Sequence, residues 1–178
     1  MADALALDLV DKNLVTDQVV LDVGYDNGNI SKWGSYTGET KTDRYGRMMP
    51  KPAHGSNRLD RQTSSAKLIS YAVLELYDRI VDPRLWIRRL NLTAGSVADE
   101  NSAAMHDVAE QLDMFTDYEM LEHQRKADEA HLARERLELQ AVIEIKKKFG
   151  KNAIIKATSL MDGATAKSRN RQIGGHKA

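Results

Sequence analysis

The chain contains no cysteine. That excludes disulfides and thiolate metal sites and suits a reducing cytoplasm. No apolar run of about 18 residues occurs, so no segment is long enough to cross a membrane as a helix. Met1-Ala2-Asp3-Ala4-Leu5 lacks the basic flank and the long apolar core of a signal peptide. A phosphate-binding glycine loop is missing too, because Gly174-Gly175 comes near the end of the chain with no helix expected after it. The five histidines, His54, His106, His123, His131 and His176, show no ligand spacing. Asp99-Glu100 is a paired acid, but no second carboxylate cluster accompanies it to build a two-metal site. No cofactor is therefore expected in this chain. Net charge is also missing, with 26 Lys and Arg against 26 Asp and Glu.

That zero hides blocks. Lys41 to Arg61 carries six bases against two acids, Asp99 to Glu144 thirteen acids against four bases, and Ile145 to Ala178 nine bases against one acid. A basic, acidic, basic order suggests separate faces for separate partners. With 178 residues, 42% apolar and 29% charged, the chain suits one ordinary domain with solvated extensions.

Ala4 to Leu14 reads as a helix with Leu7, Val10 and Leu14 on one face. Gln18 to Tyr25 is β-branched and apolar, hence a strand. Asn27 to Ser56 is rich in Gly, Asn, Ser, Thr and Lys and reads as a loop or loose hairpin insertion. Asn57 to Thr63 alternates weakly as a second strand. Ser64 or Ser65 caps a helix from Ala66 to Val81, whose apolar face holds Leu68 or Ile69, Ala72, Leu76 and Ile80. Asp82-Pro83 stops it. Arg84 to Thr93 is a third strand, ended by Ala94-Gly95. The order predicts an α+β fold: a small antiparallel sheet with two helices on one face and the other face free to bind. Residues 1–98 form this domain and 99–117 an acidic linker. A long charged helix at 118–150 follows, with Leu121, Ala130, Leu137, Ala141, Ile145 and Phe149 at helical spacing. The segment 151–178 reads as a short helix around Ile154 and a flexible basic tail.

Two stretches stand out. Arg88 and Arg89 are adjacent in a strand, and a period of two sends them to opposite faces. They are either solubilising charges or phosphate contacts, to which guanidinium geometry is suited. Arg58, Arg61 and Lys67 extend the same candidate patch. Gln111-Leu112-Asp113-Met114-Phe115 places three large apolar groups in an acidic linker. They either dock on their own domain or anchor a linear peptide in a partner's pocket, each burial contributing about 1.5–3 kcal/mol before ordering costs.

Thr63-Ser64-Ser65 leading into a helix, followed by the strand Ile87-Arg88-Arg89-Leu90-Asn91-Leu92, resembles the C-terminal little-finger domain of Y-family translesion DNA polymerases of the ImpB/MucB/SamB group. Gln111 to Phe115 is similar to the peptide by which bacterial polymerases hold the β sliding clamp, with Met114 where Leu is usual. Gly150-Lys151-Asn152-Ala153-Ile154 to Ile173-Gly174-Gly175-His176 looks like the end of Gram-positive members related to the catalytic subunit of DNA polymerase V. The resemblance implies a sheet lying along the major groove of primer–template DNA through Arg88, Arg89, Arg58, Arg61 and Lys67. It implies a clamp contact through Gln111, Leu112, Asp113, Met114 and Phe115. It also implies that palm, fingers, thumb and the first strand of the little finger belong ahead of these residues. Mg2+ would then belong to that palm, and this chain alone would be inactive. The expected setting is the bacterial cytoplasm and nucleoid. The alternative is a protein-interaction adaptor that works through the long helix without DNA.

Overall fold

The computed structural model describes residues 1–31, 36–103, 118–173 and 176–177. The elements run α1 (Ala2–Asp11), β1 (Leu14–Tyr25), α2 (Gly28–Ser31), β2 (Thr40–Thr42), β3 (Met48–Pro50), β4 (Ala53–Thr63), α3 (Ala66–Ile80), β5 (Ile87–Asp99), α4 (Glu100–Ala103) and α5 (Tyr118–Phe149). A 3-10 turn at Ala157–Leu160, α6 (Ala166–Arg169) and the short strands β6 (Gln172–Ile173) and β7 (His176–Lys177) follow. The architecture is α+β, as the sequence predicts. The main sheet has three strands in the order β4-β1-β5, with β1 antiparallel to both neighbours.

Strand alternation decides which side is core. Val19, Leu21, Val23 and Tyr25 of β1 are buried, and the residues between them are not. A side-chain period of two places those four on one face. They cluster with Ala6 and Leu9 of α1 and with Ala66, Ile69, Ala72 and Leu76 of α3, so both helices lie on that face. Each large side chain removed from water there stabilises the fold by about 1.5–3 kcal/mol. Close approach of α3 to β4 depends on Gly55, where a Cβ would sit 3.0 Å from Leu76 Cδ1 and 3.1 Å from an Ile80 methyl.

Local chemistry sets the limits of α3. The Ser65 hydroxyl accepts from the Leu68 N–H at 3.2 Å, and Ser65 is in extended backbone, as an N-cap requires. At the other end Val81 turns extended ahead of Asp82-Pro83. The Asp82 carboxylate takes the Arg84 guanidinium at 2.9 and 2.7 Å and the Arg84 N–H at 3.0 Å. The Arg84 side chain, then its backbone N–H, holds the Asp82 carboxyl down at about 2. Because the folded value lies below the ordinary carboxylate value near ~3.9, this turn's contribution is complete above roughly pH 4. It is lost as pH falls through about 2. An NMR titration of Asp82 should show that low midpoint, and Arg84→Ala should return it to the ordinary range. An unshifted midpoint in the native chain would refute the assignment.

Three boundaries differ from the sequence reading. The first helix ends at Asp11, and Leu14 opens β1 instead of closing a helical face. Asn13 sits at φ 53, which interrupts the helix, and the inward residues of α1 are Ala6, Leu9 and Val10, not Leu7. The third strand passes through Ala94-Gly95 to Asp99, because Val97, Ala98 and Asp99 pair with Thr16, Val15 and Leu14. No helix forms around Ile154; the turn comes later, at Ala157–Leu160. Of the stretch expected as a loose insertion, β2 and β3 make an antiparallel hairpin.

Candidate nucleic-acid interface

Cross-strand partners share a face, so the register assigns the side of the main sheet away from the helices. Gln18 stands opposite Arg58 and Gly95, Val20 opposite Ser56 and Thr93, Asp22 opposite His54 and Asn91, and Gly24 opposite Arg89. These positions form the open face. It is polar across all three strands and carries two arginines. At its centre His54 Nδ1 and Asp22 Oδ1 lie 2.6 Å apart. No local sequence pattern links the two residues. Only the register of two strands 32 residues apart brings them together.

The five cations expected to form one patch divide into two groups. Arg89 is exposed on the open face of β5, and Arg88 falls in the register shift between Gly24 and Tyr25, exposed at the rim of the sheet. The expected division of the pair between faces therefore takes the form of one open-face and one rim residue. Arg58 is on the open face of β4, about 20 Å along the strands and about 10 Å across them from Arg89. Arg61 lies past the point where the pairing jumps from Gln18–Arg58 to Thr16–Thr63. Lys67 is in the first turn of α3 and exposed. Arg58, Arg61 and Lys67 line a groove of about 980 Å³ between β4, α3 and α5, and Arg88 and Arg89 do not.

That groove has a wall no sequence reading placed there. The sequence predicts a largely solvated long helix, and none of its residues is fully buried. Yet it turns a defined side to the domain. Leu132, Glu135, Arg136, Leu139, Val142 and Ile143 are half-buried, and Leu137 is 65% and Phe149 67% exposed. The apolar series read from spacing thus picks out much of the outward face. Glu135 bonds the start of α3: the Ser65 hydroxyl donates to Oε2 at 2.6 Å and the Lys67 N–H to Oε1 at 3.1 Å. Arg136 pairs with Glu100 and donates to Asn13 Oδ1 at 3.3 Å. Lys147 pairs with Asp11, and Lys156 beyond the helix pairs with Asp3. The spacing of Leu132, Arg136 and Leu139 was the available signal, since residues at i, i+4 and i+7 share a helix face.

Gln111, Leu112, Asp113, Met114 and Phe115 lie outside the described residues. Among the described residues no group of three or more His, Asp or Glu is placed to hold a metal ion. No helix among them is long and apolar enough to cross a membrane. No family model, curated protein or solved structure gives a significant match to this chain.

Proposed function

We propose that this chain is the DNA-binding and clamp-tethering C-terminal part of a Y-family translesion DNA polymerase. The observation that carries the reading is the uncovered sheet face. Three strands present a polar surface with Arg58 and Arg89, and both core helices lie behind it. A face of that kind can follow a phosphate backbone through guanidinium contacts without reading bases. The QLDMF stretch would then raise the local concentration of the polymerase at a primer end by holding the β sliding clamp. Nucleotidyl transfer, with its Mg2+, would belong to the palm of the parent enzyme, and this chain alone would be inactive. The setting would be the bacterial cytoplasm at the nucleoid, with primer–template DNA, the clamp and the remainder of the polymerase as partners.

The deciding measurement is the affinity for a short duplex across a salt series. The native chain is expected to bind at low salt with a steep dependence on salt concentration. Arg88→Ala with Arg89→Ala should weaken binding by roughly tenfold and flatten the slope of log K against log salt by about 0.9 per lost phosphate contact. Negligible binding at low salt, or indifference to the double substitution, would defeat the reading. One observation favours a second reading, a protein-interaction adaptor. Leu137, Ile145 and Phe149 lie on the outward side of α5, with Leu137 and Phe149 largely exposed. That reading predicts no duplex binding at all and a partner lost on Leu137→Ser with Phe149→Ser.

A further inference from the structure

The joint between α5 and the domain combines ion pairs and hydrogen bonds with the half-buried apolar side chains Leu132, Leu139, Val142 and Ile143. Where α5 crosses the start of α3, its carboxylate Glu135 takes the buried Ser65 hydroxyl and the Lys67 N–H, two groups that would equally serve a phosphate oxygen. Farther along, Arg136–Glu100 and Lys147–Asp11 hold the helix down. No residue of α5 is fully buried, and Leu139 packs on the core cluster. The two walls of the adjoining groove are also of unlike sign. β4 and α3 bring Arg58, Arg61 and Lys67 against two acids. The helix brings Asp128, Glu135 and Glu138 against one arginine.

We infer that α5 is an acidic strap whose Glu135 occupies the start of α3, beside Lys67, in place of a polyanion, and that a polyanion displaces it. The physical reason is competition. Glu135 supplies a carboxylate where a nucleic acid would supply a phosphate, and the ionic part of the helix's grip is of the kind that salt weakens, with a screening length falling from about 10 Å at 0.1 M to about 3 Å at 1 M. Duplex DNA as the displacing polyanion rests on the function proposed above; the strap itself does not. Access to the Ser65 hydroxyl and the Lys67 N–H at the start of α3 is then regulated by whether α5 is down.

The chain has no cysteine, so a pair of spin labels can be introduced without background. Labels at Asp78→Cys on α3 and Glu129→Cys on α5, both exposed positions, report the distance across the groove in the full chain. One short population is expected at low salt. A second, longer one should appear on adding heparin at low salt, or on raising salt toward 1 M. Glu135→Gln with Glu138→Gln should enrich the longer population and tighten heparin binding by about 2- to 10-fold. A distance distribution unmoved by salt, heparin and the double substitution would overturn the strap. Duplex DNA is then run beside heparin. Displacement by both supports the whole inference. Displacement by heparin alone keeps the strap and removes DNA as its natural competitor.

Discussion

Ile69→Ala is expected to lower the unfolding free energy by about 2–5 kcal/mol. Ile69 is fully buried, at 0% exposure, in the cluster that joins α3 to α1 and to β1. Shortening it removes three carbons from that junction and leaves a cavity that the sheet cannot close, because β1 is held between two neighbours. Domains of this kind are stable by only about 5–15 kcal/mol, so the loss is a large share of the whole. Leu74, on the same helix and 62% exposed, is the control: Leu74→Ala should stay within about 0.5 kcal/mol. Urea unfolding of both variants decides the matter. Equal, small effects would mean that α3 is not seated on the sheet, and the helix-free face would no longer be the single open one.

Gln111→Ala with Phe115→Ala is expected to abolish retention of the chain by the β sliding clamp. The proposed peptide contact is small, so its strength is concentrated in few groups. Losing a buried Phe and the hydrogen bonds of a Gln removes together about 2–4 kcal/mol, a weakening of about 30-fold to 1,000-fold. A lone peptide that begins in the micromolar range then falls below the threshold of co-purification. His123→Ala, beyond the peptide in α5 and exposed, should leave retention intact. Unchanged retention by the double variant would remove the tether. The rival role, in which Leu112 and Phe115 dock on their own domain, has a distinct signature. The double variant would then melt about 4 °C or more below the native chain, in the absence of any clamp.

The elements differ in how far they could be read from residues alone. Ser65, the Ile69, Ala72 and Leu76 stripe and Asp82-Pro83 define α3 through contacts a few residues apart, and the helix has those limits within one residue. The same holds for the C-terminal end of α5, which comes at Phe149 before Gly150, a residue at φ +96 whose N–H donates to the Lys146 carbonyl at 2.9 Å. Leu14 and Val97 are different. Asn13 at φ 53 breaks the helix ahead of Leu14, but nothing local makes Leu14 a strand residue or carries β5 past Ala94-Gly95. Their pairing with each other's strand does so, and long-range ladders overrule weak local preference. The candidate cations follow the same division. Adjacent Arg88 and Arg89 could be expected on different sides of a strand from the period of two, whereas the grouping of Arg61 and Lys67 with α5 depends on contacts across 68 residues or more.

By itself the sequence determined the α+β class, the ends of α3, the presence and C-terminal end of α5, and the alternation that makes one sheet face apolar and the other polar. These rest on capping, helical periodicity and side-chain alternation, all of which act over a few residues. Only the tertiary structure decided that β1 lies between β4 and β5, that Arg89 and Arg58 stand at opposite corners of the open face, and that Glu135 closes α5 over the start of α3. Those outcomes depend on strand register and on ion pairs between residues far apart in the chain, and no local pattern encodes either.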